Sequence, residues 1–399
     1  MLVLLWHSPY EYVVAGGFRR TQEILKRVPE GIEIVAIDSS PTMLGKSLSS
    51  DVIEYRFPAS LRRMDRRFFV AMRLLEWLFA FVSLSSACVK IRMRKRTFDA
   101  IYVPSSEIFP AVLAGVVAKR LFNCRLVLCN TNIEFYPRLA RICLAALHNQ
   151  SDLVITLSRD LEKSLRRNGV RAPIALNPAG LDLDIIKESL SGASDEKVYD
   201  AIFVGRHDQG KGILDLVEAW GLVTARRPNS LMVTAGIMTP EYRARLDRLI
   251  RKLGLEDRIV LSGVVDEQTK FRLMKESRVC VFPSYLEGWG IVPQEALACG
   301  LPVVVYDLPV YAENIKPCDA VRSVPLGDIE ALAAATLQLI EAEGSCPANT
   351  EGPEFVKRFH WDGVASTEFN IIAGRWTARH RPGITPAVRR FFWRRRPVD

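Results

Sequence analysis

Two glutamates, Glu287 and Glu295, lie on either side of a glycine-containing bend, with seven residues between them. A helix is predicted from about Gly290 to Cys299, because Pro293 is tolerated only in a first turn and Gly300 favours a stop. The free amides and the dipole at the start of such a helix attract phosphate. One carboxylate in the loop and one in the helix can hold two hydroxyl-bearing parts of one ligand. The stretch therefore predicts binding of a phosphorylated sugar.

The amides expected to meet the phosphate are those of Gly290, Ile291 and Val292, and Gly288 lets the loop bend. The loop follows an apolar run at 279–282, which is short and β-rich, as is typical of a buried parallel strand. The loop is thus expected at the carboxyl edge of a sheet. The simpler interpretation is that the glycines are ordinary turn residues and that both glutamates are solvated surface charges.

A second charged group follows another predicted strand, where Gly205 precedes Arg206 and Lys211. The planar fork of an arginine and the compact charge of a lysine can neutralise a diphosphate leaving group, on which negative charge grows. Taken alone, the fragment is equally well explained as a strand-to-helix loop with incidental basic residues. Gly16 and Gly17 open the first helix, where they allow close approach of the backbone to a phosphate or an acceptor.

The elements that must position these residues alternate between strand and helix. The 399 residues are too many for one typical core, and 49% hydrophobic and 25% charged residues indicate a folded globular protein. The strand-like runs are 2–6, 32–37, 99–103, 125–129, 153–157, 174–176, 201–204, 231–235, 258–261, 279–282, 301–306 and 320–324. Such alternation predicts an α/β protein with two Rossmann-like, doubly wound parallel sheets. We predict domains at residues 1–190 and 191–365, and a final helix, at about 366–399, that crosses back to the first domain.

Residues 283–306 resemble the donor-site signature of retaining glycosyltransferases of family 4, which have the GT-B fold. Residues 205–212 are similar to the pattern G-R-x-x-x-x-K-G of that family. The resemblance is strong over residues 199–325 and architectural before them. It implies two domains facing across a cleft, with the acceptor on the first and a nucleotide-sugar donor on the second.

The resemblance also implies roles for the individual residues. Arg206 and Lys211 would stabilise the departing diphosphate, Glu287 would hold the transferred sugar, and Glu295 would hold the ribose. Gly16, Gly17 and Gly205 would approach the donor, and the segment containing Val264 would flank the nucleotide base. The family generally needs no metal ion or cofactor for this chemistry.

The acceptor side departs from the family, because many relatives have a histidine where this chain has the segment from Cys129 to Glu134. Asn130, Asn132 and Glu134 can bind acceptor hydroxyls or merely cap the next helix. His7 and His148 are more simply explained as structural residues. A glycan or lipid-linked acceptor is expected, in cell-surface polysaccharide or glycolipid synthesis. Two rival functions are a nucleotide-sugar epimerase and a non-catalytic nucleotide-sugar-binding scaffold.

The net charge of +9 is concentrated in two patches, residues 61–96 and 375–399. The uncharged run 77–89 is too short to span a bilayer, so it is either a core helix with a basic end or a helix at an anionic membrane surface. Residues 391–396 offer a second aromatic and basic patch. The basic stretches carry no recognised nucleic-acid motif. The N-terminus reads as a strand rather than a signal peptide, which favours a cytoplasmic protein, possibly peripheral on the inner face of the membrane. The eight cysteines lack metal-site spacing and are expected to be free thiols.

Overall fold

The structure is a computed structural model, which describes residues 1–4, 16–38, 52–54, 69–94, 96–131, 137–192, 196–342 and 348–375. The chain forms two compact units, the first from residues 1–179 and 361–399 and the second from residues 180–360. The helix at Leu183–Leu190, which the sequence places in the first domain, lies in the second unit. The last described helix begins at Trp361 rather than near residue 366.

The first unit contains a parallel sheet, with strand order β3-β2-β1-β4-β5-β6-β7 in the described part of the chain. Its strands are β1 (Leu2–Leu4), β2 (Val35–Asp38), β3 (Val52–Glu54), β4 (Ala100–Val103), β5 (Arg125–Asn130), β6 (Leu153–Thr156) and β7 (Ile174–Leu176). Its helices are α1 (Gly16–Leu25), α2 (Phe69–Met93), α3 (Phe109–Phe122), α4 (Arg138–His148), α5 (Arg159–Arg167) and, from the end of the chain, α14 (Trp361–Ile372). Every predicted strand of this half is present, and β3 is an additional one.

The two faces of this sheet carry different layers, because successive side chains of a strand point to opposite sides. One face packs against helices α2, α3 and α4 through a single apolar core. That core includes Ile101, Val103, Leu126, Leu128, Ala80, Leu84, Ala87, Val112, Leu144 and Ala145. The alternate residue Tyr102 of β4 points to the opposite face, where it contacts α14. The continuous apolar sequence of the central strands thus reflects burial on both faces.

A buried ion pair holds α14 against the first unit. Arg20 of α1 donates to both carboxylate oxygens of Glu368, at 2.9 and 2.7 Å, and both side chains are almost wholly buried. Tyr102 and Asn177 also donate to this carboxylate, each at 2.5 Å. Burial acts to raise the pKa of Glu368, but the charge of Arg20 and the hydrogen bonds outweigh it and hold this pKa below its usual value.

The second unit repeats this architecture, with strand order β10-β9-β8-β11-β12-β13 among the described residues. Its strands are β8 (Tyr199–Val204), β9 (Met232–Ala235), β10 (Ile259–Leu261), β11 (Ser277–Phe282), β12 (Val303–Tyr306) and β13 (Val321–Val324), all parallel. Its helices are α6 (Leu183–Leu190), α7 (Ile213–Arg226), α8 (Pro240–Leu253), α9 (Glu267–Lys275), α10 (Ile291–Ala298), α11 (Tyr311–Asn314), α12 (Ile329–Glu341) and α13 (Ala348–Val356).

In each sheet the strand order reverses at one point, between β1 and β4 in the first unit and between β8 and β11 in the second. Ligands of doubly wound sheets bind outside the carboxyl ends of the strands at such a point. The loops after β8 and β11 contain the charged residues that the sequence singles out. The prediction of two doubly wound α/β domains is therefore confirmed, and the topology directs attention to these two loops.

Candidate functional site

The loops after β8 and β11 are in direct backbone contact. Gly212 has φ of +67°, and a Cβ atom there would lie 2.0 Å from the carbonyl oxygen of Pro283. No side chain fits so close to a backbone atom, so the approach of the two loops requires glycine. The amide of Tyr285 also donates to the carbonyl of Gly210, at 2.9 Å. The basic residues of one loop are thereby placed beside Glu287 of the other.

Lys211 and Glu287 form an ion pair at the centre of this arrangement. Their side chains are 18% and 11% exposed, so the pair is largely withdrawn from water but still reachable. Oδ1 of Asp208 accepts a hydrogen bond from the backbone amide of Lys211 at 3.0 Å. This bond fixes the 3-10 turn at Gln209–Lys211. The Lys211 ammonium also lies 5.4 Å from the centre of the Phe282 ring. Two residues with separate predicted roles therefore touch each other.

Arg206 occupies the same loop but is more exposed. Its guanidinium Nη1 lies 3.3 Å from Oδ2 of Asp208, and 48% of its side chain is accessible. Gly205, which precedes it, directly follows β8. Arg206 is therefore less constrained than Lys211, whose side chain is largely buried in its ion pair. Asp208 thus contacts both basic residues of the loop.

The start of α10 supplies the predicted backbone donors. Gly290 caps the helix with φ of +87°, and a Cβ atom there would lie 2.7 Å from Cε1 of Tyr311. Ile291 and Val292 form the first, half-buried turn, where amides have no partner within the helix. The half-buried Gly288 and the buried Trp289 complete the bend between Glu287 and the helix.

Buried polar side chains hold the bend at Trp289 in place. The indole Nε1 of Trp289 donates to Oε1 of Gln294 at 3.0 Å, and Asn314 donates to the carbonyl of Trp289. Gln294 and Asn314 are both fully buried. A buried hydrogen-bonded network of this kind fixes one conformation of the loop. The backbone donors at the start of α10 are therefore positioned before any ligand arrives.

Glu295 is placed differently from Glu287. It is 2% exposed, and Lys270 of α9, itself 7% exposed, donates to its Oε1 at 2.8 Å. Lys270 also donates to Glu267, at 3.0 Å. A hydroxyl group bound by Glu295 would thus meet a carboxylate whose charge a lysine already balances. Sequence reasoning did not find Lys270, because its spacing from Glu267 indicates only an ordinary helix pair.

A tyrosine pair secures the loop after β11 from the other side. Tyr285 and Tyr306 each donate to Oδ2 of Asp215, at 2.5 and 2.7 Å. The hydrogen bond to Asp215 raises the pKa of Tyr285 to about 12, so that its hydroxyl stays protonated. These three residues were missed in the sequence. They anchor the loop that carries Glu287 to the first turn of α7.

Val264 follows β10, which is separated from β8 by β9 in the sheet. Val264 is 74% exposed. The carbonyl of the preceding Gly263 accepts a hydrogen bond from the amide of Gly236 at 2.7 Å. The buried His207, another residue not predicted, contacts Oγ1 of Thr234 through Nε2 at 2.8 Å. Burial lowers the pKa of His207 to about 4. The loops after β8, β9 and β10 are thus tied together.

In the first unit, Gly16 and Gly17 begin α1, as expected, at the topological switch point. Asn130 ends β5 and is fully buried, with Nδ2 3.5 Å from Nε2 of His148. His148 contacts Ser106 at 3.0 Å, and burial lowers its pKa to about 4, which makes it a neutral structural group. Asn132, Glu134 and His7 lie outside the described residues.

Glu107, which follows β4, is a further carboxyl group at that switch point and was missed in the sequence. Its Oε1 accepts a hydrogen bond from Oγ1 of Thr131 at 2.9 Å, and burial raises its pKa. Thr131 directly follows β5, the strand paired with β4. The signal that could have identified Glu107 was its position shortly after a predicted strand, rather than its residue type.

Comparison with known proteins finds similarity in both sequence and fold. The family model described as "Glycosyl transferases group 1" matches residues 184–351. An uncharacterized glycosyltransferase of Methanocaldococcus jannaschii is 29% identical over 206 residues, 49% of this chain and 51% of that protein. A phosphatidyl-myo-inositol mannosyltransferase of Mycolicibacterium smegmatis is 31% identical over 169 residues, 41% of this chain and 42% of that protein. The chain thus matches about half the length of these curated relatives.

Among solved structures, HepE of Anabaena in complex with UDP and glucose superimposes with a TM-score of 0.72. The match covers 93% of this chain and 98% of HepE at 18% sequence identity, which is a likeness of fold. The family match falls on the unit that contains Lys211, Glu287 and α10, and the likeness of fold extends over both units. Residues 184–351 are therefore similar to the group 1 glycosyl transferases, and the fold of the chain is GT-B.

Proposed function

We propose that this protein transfers a sugar from a nucleotide-diphosphate sugar to a glycan or lipid-linked acceptor, with retained anomeric configuration. The observation that supports this function best is the Lys211–Glu287 ion pair beside the first turn of α10, at the switch point of the second unit. It combines a fixed cation, a carboxylate and helix-end amides within two loops. No metal ion or cofactor is required in this proposal, because protein groups supply the positive charge.

In the proposed reaction, Lys211 and Arg206 stabilise the diphosphate as the bond to the sugar breaks. Stabilisation of developing charge by preorganised groups is commonly the largest contribution to catalysis. The amides of Ile291 and Val292 donate to the same phosphates. Glu287 accepts hydrogen bonds from hydroxyl groups of the transferred sugar, and Glu295 accepts hydrogen bonds from those of the ribose. The ion pair keeps Lys211 oriented until the donor arrives.

For the acceptor, we propose the switch point of the first unit, where Glu107 and Thr131 offer a carboxylate and a hydroxyl. The similar mycolicibacterial protein is named for phosphatidyl-myo-inositol, which supports a lipid-linked acceptor and a role in glycolipid or cell-surface polysaccharide synthesis. HepE was solved with UDP and glucose, which supports a nucleotide-sugar donor. Contact with an anionic membrane is part of the same proposal.

A panel of nucleotide sugars with uracil, guanine or adenine bases tests the donor. A ligand that binds only the folded state raises its melting temperature by mass action. The donor found in this way is then incubated with glycan and lipid acceptors, and products are identified by mass spectrometry. Transfer with retained configuration is expected. An isomerised donor without any acceptor would instead identify an epimerase, and binding without turnover would identify a scaffold.

A further inference from the structure

Helix α2 presents an apolar stripe to solvent on the side opposite its buried face. The outer stripe consists of Leu75, Leu78, Val82, Val89 and Met93, which are between 46% and 77% exposed. At 100° per residue these positions fall within about 60° of arc and extend over about 27 Å. The buried face is formed by Ala80, Leu84, Ala87, Cys88 and Ile91, which pack into the core of the first unit. Helix α2 is therefore apolar on both faces.

Single exposed apolar residues are common, but five on one side of one helix, interrupted only near Ser85 and Ser86, mark an interaction surface. The buried face confirms the core-helix alternative for this segment, whereas the membrane alternative stays a prediction; among the described residues the outer stripe is exposed. Among the described residues, none of the helices combines the length and apolar character that crossing a bilayer requires. A partner must therefore meet α2 along its side.

Basic residues stand at the C-terminal end of the outer stripe. Lys90 and Arg92 flank the stripe on either side by helical spacing, and Arg94 and Arg96 follow directly, all of them exposed. A partner must thus accept an apolar row beside a positively charged end. Apolar side chains bordered by lysine and arginine are typical of helices that lie in the interface of an anionic membrane.

A second exposed apolar pair lies in the same helical layer. Leu139 and Ile142 of α4 are 74% and 51% exposed, next to the exposed Arg138. Helix α4 packs on α3, which in turn packs on α2. Two helices of one layer therefore show the same combination of apolar and basic residues. The outer stripe offers nothing to the phosphate backbone of a nucleic acid. The stripe and its basic end contain no carboxylate, so a second copy that docked through the same face would not supply the complementary charge.

We propose that the outer stripe of α2, with Lys90, Arg92, Arg94 and Arg96, docks the protein on an anionic lipid surface. The inference rests on the membrane contact in the proposed function and adds the residues that make it. The apolar side chains enter the boundary between headgroups and acyl chains, while the basic end contacts anionic headgroups. A lipid-linked acceptor in that surface is then presented to the first unit.

The test is co-sedimentation of the full chain with vesicles of phosphatidylcholine alone or mixed with phosphatidylglycerol. The protein is expected to bind the mixed vesicles, and added salt is expected to weaken this binding. The outer-stripe variant, Leu78→Ser with Val82→Ser, is expected to reduce the partition coefficient by about tenfold or more. Lys90→Gln with Arg92→Gln is expected to reduce the partition coefficient by about fivefold for each charge removed.

Leu222→Ser with Leu326→Ser is the matched control, because these leucines are 44% and 51% exposed in the second unit. This control should bind vesicles like the wild type. The proposal is wrong if the chain does not bind mixed vesicles, or if the outer-stripe variant binds them as well as the control. A wild-type dimer that the outer-stripe variant abolishes, without vesicle binding, would instead identify a contact between copies.

The thermal shift with nucleotide sugars separates this proposal from the donor site. It is expected to be equal in wild type, control and outer-stripe variant, because α2 belongs to the first unit and the donor residues to the second. A chain that binds vesicles through the outer stripe but no nucleotide sugar would contradict only the proposed reaction.

Discussion

Lys211 and Glu287 are 76 positions apart in the chain, yet their side chains form an ion pair. Each residue was predicted from its own motif, but their direct contact was not. The contact depends on the backbone approach of Gly212 to Pro283, which no local pattern records. Residue types and motif positions were therefore predictable, whereas the pairing of residues between motifs was not. Lys270 and Asp215 were missed for the same reason.

Replacing Lys211 tests the leaving-group role at the residue scale. Lys211→Gln is expected to lower kcat by roughly 10²- to 10³-fold, because the lost charge acts mainly on the diphosphate in the transition state. The Kd of the donor is expected to change by less than about threefold, since ground-state binding also uses α10. Steady-state kinetics and calorimetry with the donor found by thermal shift provide both values.

Lys357→Gln is the control, since Lys357 forms an exposed ion pair with Glu354 in the same unit. It should leave both constants unchanged. Equal losses in kcat and donor affinity for Lys211→Gln would exclude the leaving-group role. Glu287→Gln combined with Lys211→Gln should raise the activation free energy by less than the sum of the two single increases, because the two residues interact directly.

The two buried histidines predict a dependence of stability on pH. Burial lowers the pKa of His148 and His207 to about 4, below the usual value of 6.5. The unfolded chain therefore takes up these protons first, and stability falls as the pH decreases from 6.5 toward 4. The loss is on the order of 3 kcal/mol for each residue over that whole range. NMR titration of the imidazole signals, assigned with His148→Gln and His207→Gln, checks this; protonation of either near pH 6.5 would contradict it.

At the scale of elements, Lys270 and Glu295 join α9 to α10 through a buried pair. Lys270→Met is expected to destabilise the second unit by about 3 to 5 kcal/mol, because Glu295 keeps a buried charge that Lys270 no longer balances. Lys270→Met with Glu295→Gln should recover part of that loss. Urea unfolding measures both.

The matched control for this pair is Lys316→Met. Lys316 forms an ion pair with Asp307 that is substantially exposed to solvent, so its loss is expected to cost about 1 kcal/mol or less. Equal destabilisation by Lys316→Met and Lys270→Met would show that burial of the Lys270–Glu295 pair has no energetic consequence.

The strands were the most predictable elements. All twelve apolar runs identified in the sequence are strands, because central parallel strands are buried on both faces and read as continuous Val, Ile and Leu segments. The missed strand β3 has only three residues and lies at the edge of its sheet. Helix α2 was recognised as apolar, but its outer stripe was not separable from its buried face, because hydrophobic residues occur all around it.

At the scale of the whole molecule, the two units differ in continuity along the chain. Residues 180–360 form one uninterrupted unit, whereas the first unit needs α14 from the end of the chain. A protein of residues 180–360 is expected to melt cooperatively and to show the thermal shift of the full chain with its nucleotide sugar. A protein of residues 1–179 is expected to be unstable, because Arg20 loses its carboxylate partner Glu368.

Fusing residues 361–375 to residues 1–179 through a flexible linker provides the control for that experiment. The fusion should restore a cooperative melting transition, measured by circular dichroism. If residues 1–179 melted at the same temperature with and without this segment, the Arg20–Glu368 pair would be unnecessary for the first unit. An unfolded 180–360 protein would contradict the independence of the second unit.

The pair of Arg20 and Glu368 also sets an order for folding during synthesis, since 348 positions separate its members. At ribosomal rates of about 5 to 20 residues per second, Glu368 is made roughly 17 to 70 s after Arg20. The second unit is complete in the chain before α14 is translated. The half of the protein that is translated first is therefore the half that finishes folding last, and its unfilled binding surface for α14 is exposed to chaperones in the meantime.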